Sequence, residues 1–330
     1  SRGLGDVYKR QVEYARQFME IILLGNVVTH LYLGLNAVLR ASGHPKQAMY
    51  ATIATVAINT ILAPIFIFMF DWGIRGAAIA TVSAQVIALL WQLKQFNNAN
   101  ELLHFRRGIF RLKRKIVFDS LAIGMSPFLM NLAACLIVIL INQGLKKYGG
   151  DLAIGAFGIV NRLVFIVVMI VMGLNQGMQP IAGYNFGAKL YDRVNKVLKL
   201  TIIYATCVTT FGFLVGMLAP NLVVGIFTSD AELTELSATG LRITVMFFPI
   251  IGFQMVTSNF FQSIGMAGKA IFLSLTRQML ILLPCLLILP HFFGVAGVWY
   301  SMPVSDLLAS LIALVMLVYQ FRKFKTAAAH

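Results

Sequence analysis

Long apolar segments alternate with short polar connections along almost the whole chain. About 20 residues of α-helix cross the hydrocarbon of a bilayer, and each apolar segment reaches that length. Glycine, proline and clustered charges mark the segment ends, as they do at helix termini. The pattern therefore predicts nine membrane-spanning helices, at residues 18–40, 48–70, 74–97, 119–144, 152–178, 198–219, 238–262, 270–291 and 295–321.

The charges of the connections support this number of spans. Clusters of Lys and Arg follow the first, third, fifth, seventh and ninth predicted spans, whereas the connections between them are mixed or acidic. Cytoplasmic loops of membrane proteins are enriched in Lys and Arg. The alternation predicts that the C-terminus is cytoplasmic.

The composition agrees with a polytopic, all-α membrane protein. Hydrophobic residues make up 59% of the 330 residues and charged residues only 12%, whereas soluble domains have about 25% charged residues. The net charge of +15 is explained by the basic loops, so no nucleic-acid partner is expected. Cys135, Cys207 and Cys285 each lie in an apolar run without metal-ligand spacing, and no metal site is predicted.

Two stretches of the chain resemble each other. The matching pairs are Gly43 with Gly265, Ala48 with Ala270, Gly73 with Gly294, and Gly76 with Gly297. Two like-oriented copies with six helices per period are typical of transporters built from parallel repeats. The second copy is complete and the first shows three helices, so a twelve-helix parent is predicted, with roughly 100 residues preceding residue 1.

This repeat suggests a domain organisation. Residues 1–11, SRGLGDVYKRQ, resemble translated adapter sequence at the ends of reading frames and are predicted to be foreign. Residues 12–97 are predicted to form part of an N-terminal lobe, with helices matching the fourth to sixth. A basic cytoplasmic loop at 98–118 then leads to a C-terminal lobe at 119–330.

Several motifs resemble those of multidrug and toxic compound extrusion (MATE) transporters of the DinF-like and MepA-like branch. They are GDLAIGAFGIVNRLVFIVVMIVMGLNQGMQPIAGYNFGAKLYDRV at 150–194, LRASGHPKQAMYATIATVAINTILAPIFIF at 39–68 and GIRGAAIATVSAQ at 73–85. The resemblance implies two six-helix lobes facing a central cavity in the bacterial inner membrane. It also implies export of cationic or amphipathic compounds, driven by entry of Na⁺ or H⁺ as coupling ion and without another cofactor.

The resemblance carries over only part of a cation site. Asn59 matches an asparagine of the family's fifth helix, and Thr81 matches a threonine of its sixth helix. The aspartate expected one turn after Asn59 is Ala63 here. The first-helix aspartate would belong to the missing segment.

Polar side chains within the predicted spans are candidates for a substrate cavity, because such groups are costly in a bilayer. The candidates are Asn131, Asn142, Asn161, Arg162, Gln176, Gln179, Gln254, Asn259 and Asp306, with Gln143, Asn175 and Gln262 in the same groups. Arg277 and Asp306 are also predicted to form a structural ion pair between two helices. Alternatively, Asp306 is a protonatable residue of the cavity.

The sequence is also compatible with functions other than drug export. A lipid-linked oligosaccharide flippase of the same superfamily is an alternative, although its cavity would have several Arg and Lys. An enzyme would need a cluster of His, Asp or Glu within the spans, so no catalytic residues are predicted. The 330 residues alone are expected to be non-functional, because an N-terminal lobe without its first three helices cannot close; the transport function is predicted for the twelve-helix parent. The expected partners are small amphipathic or cationic substrates and the lipid bilayer, with the protein a monomer.

Overall fold

The computed structural model describes residues 2–97, 104, 108 and 112–328, and those ranges contain helices and turns but no β-strand. The chain divides into two compact units, residues 1–112 and 113–330. The division falls within the predicted basic loop at 98–118. Most of that loop lies outside the described residues.

The first unit consists of three long helices. They are α1 (Arg2–Ala41), α2 (Pro45–Pro64), which continues into a π-helical segment (Ile65–Met69), and α3 (Gly73–Phe96). Buried Tyr32, Ala51, Ala88 and Leu89 pack where the three helices meet. The helix α1 begins well before residue 18, because no proline interrupts the preceding residues.

The second unit contains the remaining helices. They are α4 (Arg114–Gly187), α5 (Tyr191–Leu218), α6 (Pro220–Val224), α7 (Ala231–Val245), α8 (Phe248–Ser263), α9 (Ala267–Leu275), α10 (Leu283–Phe293) and α11 (Val295–Ala328). A second π-helical segment (Thr276–Leu282), the π2 segment below, joins α9 to α10. Two apolar clusters form the core, one around Phe157 and Trp299 and the other around Phe260 and Phe261.

The 74-residue helix α4 accounts for two of the predicted spans. A straight helix of this length would extend about 110 Å, far more than one bilayer crossing. Gly150 interrupts it with φ 66° and ψ −162°, a conformation that residues with a Cβ rarely adopt. The two parts, 114–149 and 151–187, correspond to the spans predicted at 119–144 and 152–178.

The other predicted spans also have helical counterparts. In the described part of the chain, seven helices are long and apolar enough to cross a membrane, and α7 with α8 forms an eighth bent by 55°. Pro249 lies in the first turn of α8, next to this bend. With α4 divided at Gly150, each of the nine predicted spans corresponds to a helical segment.

The predicted repeat is visible in the backbone. Gly43 and Gly265 both have positive φ, 89° and 76°. The residue after each glycine donates its N–H to the carbonyl five residues earlier, over N···O distances of 3.0 and 2.9 Å. This pattern is a Schellman helix terminus. The next helix, α2 or α9, then runs into a π-helical segment in both copies.

Asp230 caps the N-terminus of α7. Its Oδ1 accepts a hydrogen bond from the backbone N–H of Leu233 at 2.9 Å. Asp230→Ala is expected to lower the free energy of unfolding by about 1 kcal/mol, because that amide loses its acceptor. Thermal unfolding in mild detergent would measure the change. Ser229→Ala, one residue earlier, is the control, and equal losses in both variants would contradict the capping role.

Candidate functional site

A cavity of about 400 Å³ opens in the second unit between α4, α8, α9 and the π2 segment. This volume falls in the range of about 300–1,000 Å³ that is usual for small-molecule sites. Both parts of α4 contribute, through Pro127 to Ala134 and through Val168 to Gln179. Because α4 is interrupted at Gly150, its two parts can form two walls of the same cavity.

Amide and thioether side chains dominate the cavity wall. Seven amides predicted from the sequence lie on it: Asn131, Asn175, Gln176, Gln179, Gln254, Asn259 and Gln262. Gln179 Nε2 donates to Asn259 Oδ1 at 3.5 Å, linking α4 to α8. Met130, Met172 and Met255 lie between the amides. The wall thus combines hydrogen-bonding groups with flexible apolar surface.

Several polar atoms at this wall lack hydrogen-bond partners. Both amide atoms of Asn175 and the hydroxyls of Ser258 and Ser274 are buried without a partner among the described residues. Oε1 of Gln278 is also buried without a partner among the described residues. Buried polar groups are usually satisfied, and an unsatisfied one costs about 1–3 kcal/mol. Their clustering at one cavity points to a polar ligand or water as the missing partner.

Arg277 and Asp306 form an ion pair at the edge of the cavity. Arg277 lies in the π2 segment and lines the cavity. Its Nε donates to Oδ1 of Asp306 on α11 at 2.7 Å. The Asp306 side chain is 5% exposed and that of Arg277 is 32% exposed. The carboxylate therefore lies behind the guanidinium and does not line the cavity itself.

The structure places four predicted cavity residues, besides Asp306, away from the lining. Asn142 and Gln143 lie eight and nine residues beyond Ala134, or about 12–14 Å along the helix from the lining. Asn161 and Arg162 are exposed and precede Val168 by six or seven residues, about 10 Å. The sequence identified polar positions on the correct helix but did not reveal how far the cavity extends along it.

Ser258, Ser274 and Gln278 line the cavity but were not predicted from the sequence. A helical period was the available signal, because Gln254, Ser258 and Gln262 recur every four residues on α8. A serine alone is a weak signal for a cavity, because serine hydroxyls within helices commonly bond the preceding turn.

In the first unit, the two residues of the predicted cation site are neighbours. Asn59 Nδ2 donates to Thr81 Oγ1 at 3.3 Å, which joins α2 to α3. One turn further along α3, Gln85 accepts a hydrogen bond from Thr29 of α1 at 2.5 Å. The Thr29–Gln85 pair was not predicted. Thr81 and Gln85 thus place polar contacts to two helices on one face of α3.

The titratable residues that the structure describes do not cluster in a way that suggests metal or acid–base chemistry. Within the ranges that the structure describes, no three His, Cys, Asp or Glu side chains could jointly hold a metal ion. His30 is exposed and contacts the carbonyl oxygen of Asn26 through Nδ1 at 2.8 Å. The chemistry available at the cavity is therefore binding by hydrogen bonds and by one guanidinium.

Comparison with known proteins identifies relatives along most of the chain. The MatE family model matches residues 6–65 and 123–287. The match begins within the segment at 1–11 that was predicted to be foreign. The multidrug export protein MepA of Staphylococcus aureus is 28% identical over 309 residues, which cover 92% of this chain and 67% of MepA.

Solved structures show the same fold. The MATE multidrug transporter DinF-BH, solved in complex with rhodamine 6G, is 34% identical and has a TM-score of 0.85. The similarity covers 94% of this chain and 70% of DinF-BH. A MATE structure in a bent conformation has a TM-score of 0.89 at 22% identity. Because the family model matches well over half of the residues, the chain belongs to the MatE family of membrane transporters and is not an enzyme.

Proposed function

We propose that the protein is a cation-coupled efflux antiporter of small amphipathic and cationic molecules, driven by Na⁺ or H⁺ entry. The cavity of the second unit is the observation that carries this proposal, because its wall combines unpartnered polar atoms with methionines. The relatives support it, since MepA is named a multidrug export protein and DinF-BH was solved with rhodamine 6G.

The wall chemistry suits ligands of varied shape. Amides offer both donors and acceptors, so they can turn either group towards a ligand. Met130, Met172 and Met255 are unbranched and polarizable, and such side chains repack around different apolar surfaces. Transport would follow from alternating access, in which two lobes expose the cavity to each side of the membrane in turn.

The coupling ion would use the polar contacts of the first unit. Asn59 and Thr81 supply oxygen atoms, which are the ligands that hard cations prefer. These two neutral groups do not make a complete ion site, because Asp71 is the one carboxylate among the described residues 45–97 and lies in the turn before α3. A carboxylate from outside α2 and α3 would have to complete it.

The proposal includes a location and an orientation. The protein would lie in the bacterial inner membrane as a monomer, with its C-terminus in the cytoplasm. The alternation of basic and non-basic connections supports this orientation. The flippase alternative receives no support from the cavity, because Arg277 is the one charged residue on the described wall and a pyrophosphate would need several cations.

Transport by the purified chain in liposomes tests this function. We expect rhodamine 6G to move across the membrane when a Na⁺ or an H⁺ gradient is imposed, and to stop when both gradients are collapsed. Protein-free liposomes of the same lipid are the control. Dye movement at the same rate with and without the two gradients would contradict coupling. No dye movement with either the Na⁺ or the H⁺ gradient would contradict efflux.

Gln176→Trp is expected to reduce this transport about tenfold or more. Gln176 is exposed and lines the cavity, so an indole there would fill space that the ligand needs. Gln143→Trp is the matched control, because Gln143 is an exposed residue of the same helix outside the lining. Equal transport by the two variants would show that the dye uses another route.

A further inference from the structure

The charge of the cavity wall is carried by a single side chain. Among the described lining residues, Arg277 is the one that carries a formal charge, and the others are neutral. No carboxylate reaches this described wall, because Asp306 is buried behind the guanidinium. A cationic group of a ligand would therefore find no ionic partner at this wall, whereas an anionic group would find one.

The geometry of the ion pair leaves most of the guanidinium donors available. Asp306 engages Nε, and it is the only hydrogen-bond partner of Arg277 in the part of the chain described. A guanidinium has five N–H donors, so four remain on its two terminal nitrogens. Nearly a third of the Arg277 side chain is exposed. The buried carboxylate thus holds Nε, while the partly exposed side chain of Arg277 lines the cavity.

Neighbouring groups complement these donors. Asn175 Nδ2 and the hydroxyls of Ser258 and Ser274 are buried at the same wall without partners among the described residues. Asn175 is 2% exposed and Ser274 is 5% exposed. A carboxylate has about four lone-pair sites, so it can accept from the guanidinium and from neutral donors together. The described wall therefore holds one charged donor, Arg277, together with buried neutral donors on α4, α8 and α9.

We propose that Arg277 binds a carboxylate group of the transported molecule, so that the cavity selects zwitterionic amphipathic ligands over their cationic esters. This inference rests on the proposed function, because it names the ligand class of the same cavity. The aromatic or apolar part of the ligand would contact Met130, Met172 and Met255, and its carboxylate would contact Arg277 and the neighbouring donors. Arg is suited to this contact, because its planar fork matches a carboxylate.

A pair of dyes that differ by one ester group tests the selectivity. Rhodamine 6G is a cationic ethyl ester, and its free acid has the same ring system with a carboxylate. We expect the purified full chain in detergent to bind the free acid about tenfold more tightly than the ester, as measured by fluorescence anisotropy, because a charge-assisted contact has about that effect.

The test variant removes the guanidinium without leaving a buried charge. In Arg277→Gln/Asp306→Asn, two amides replace the ion pair, and we expect the free acid and the ester to bind within about twofold of each other. Arg242→Gln is the matched control, because Arg242 is an exposed arginine outside the cavity lining. This control should keep the preference for the free acid.

The outcomes distinguish this inference from the proposed function. Equal binding of both dyes by the unmodified chain, or a preference that persists in the double variant, would overturn the role of Arg277 and leave the transport function intact. Failure of the unmodified chain to bind or transport either dye would overturn both. Loss of the preference in the double variant alone, with ester affinity retained, would establish the carboxylate contact.

Discussion

Arg277→Met is expected to lower the free energy of unfolding by about 3–5 kcal/mol, because it leaves a buried carboxylate without its counter-ion. Asp306 is 5% exposed and accepts from Arg277 Nε at 2.7 Å. Unfolding of the purified chain in mixed micelles, followed by circular dichroism as SDS is added, would measure the loss.

Asp306→Asn, which removes the carboxylate instead, should lower the free energy of unfolding by less. Arg277 is 32% exposed at the cavity, so in Asp306→Asn its guanidinium can still be hydrated. In Arg277→Met/Asp306→Leu both charges are removed, and most of the stability should return. If the double variant were as unstable as Arg277→Met, the loss would come from packing of the arginine stem and not from the unpaired carboxylate.

Gly297→Ala is expected to destabilise the second unit by about 3 kcal/mol, because the added methyl group has no space. A Cβ at this position would overlap the carbonyl oxygen of Leu289 and lie 2.5 Å from its carbonyl carbon. Both are backbone atoms, so α10 would have to move away from α11. The thermal unfolding midpoint in detergent would measure the effect.

The repeat provides an internal comparison for this variant. Gly76 has the same role in the first unit, where a Cβ would lie 2.6 Å from the carbonyl oxygen of Phe66. Gly76→Ala should therefore also destabilise its unit. Gly158→Ala is the control, because no atom of the described residues lies within 4 Å of its Cβ position. Similar unfolding midpoints for Gly297→Ala and Gly158→Ala would contradict the close-packing explanation.

The spans and their connections could be predicted from the sequence because the relevant signals are local. A run of about 20 apolar residues crosses a bilayer whatever its neighbours are. The repeat was also visible in the sequence through matching glycines, and two of these, Gly43 and Gly265, both have positive φ in the structure. Pro249 marks the position of the bend between α7 and α8 in the sequence. The 55° angle of that bend and the π-helical segments depend on packing.

Hydropathy, charge and turn chemistry act over short distances, so the amino-acid sequence was sufficient to specify a helical membrane protein with an internal repeat and polar residues within its spans. The packing of the helices was needed to establish which amides share a cavity and which, such as Asn142 and Asn161, lie beyond its ends. The sequence predicted the pairing of Arg277 with Asp306, but the packing of α11 against the π2 segment was needed to establish that the carboxylate is buried while the guanidinium lines the cavity.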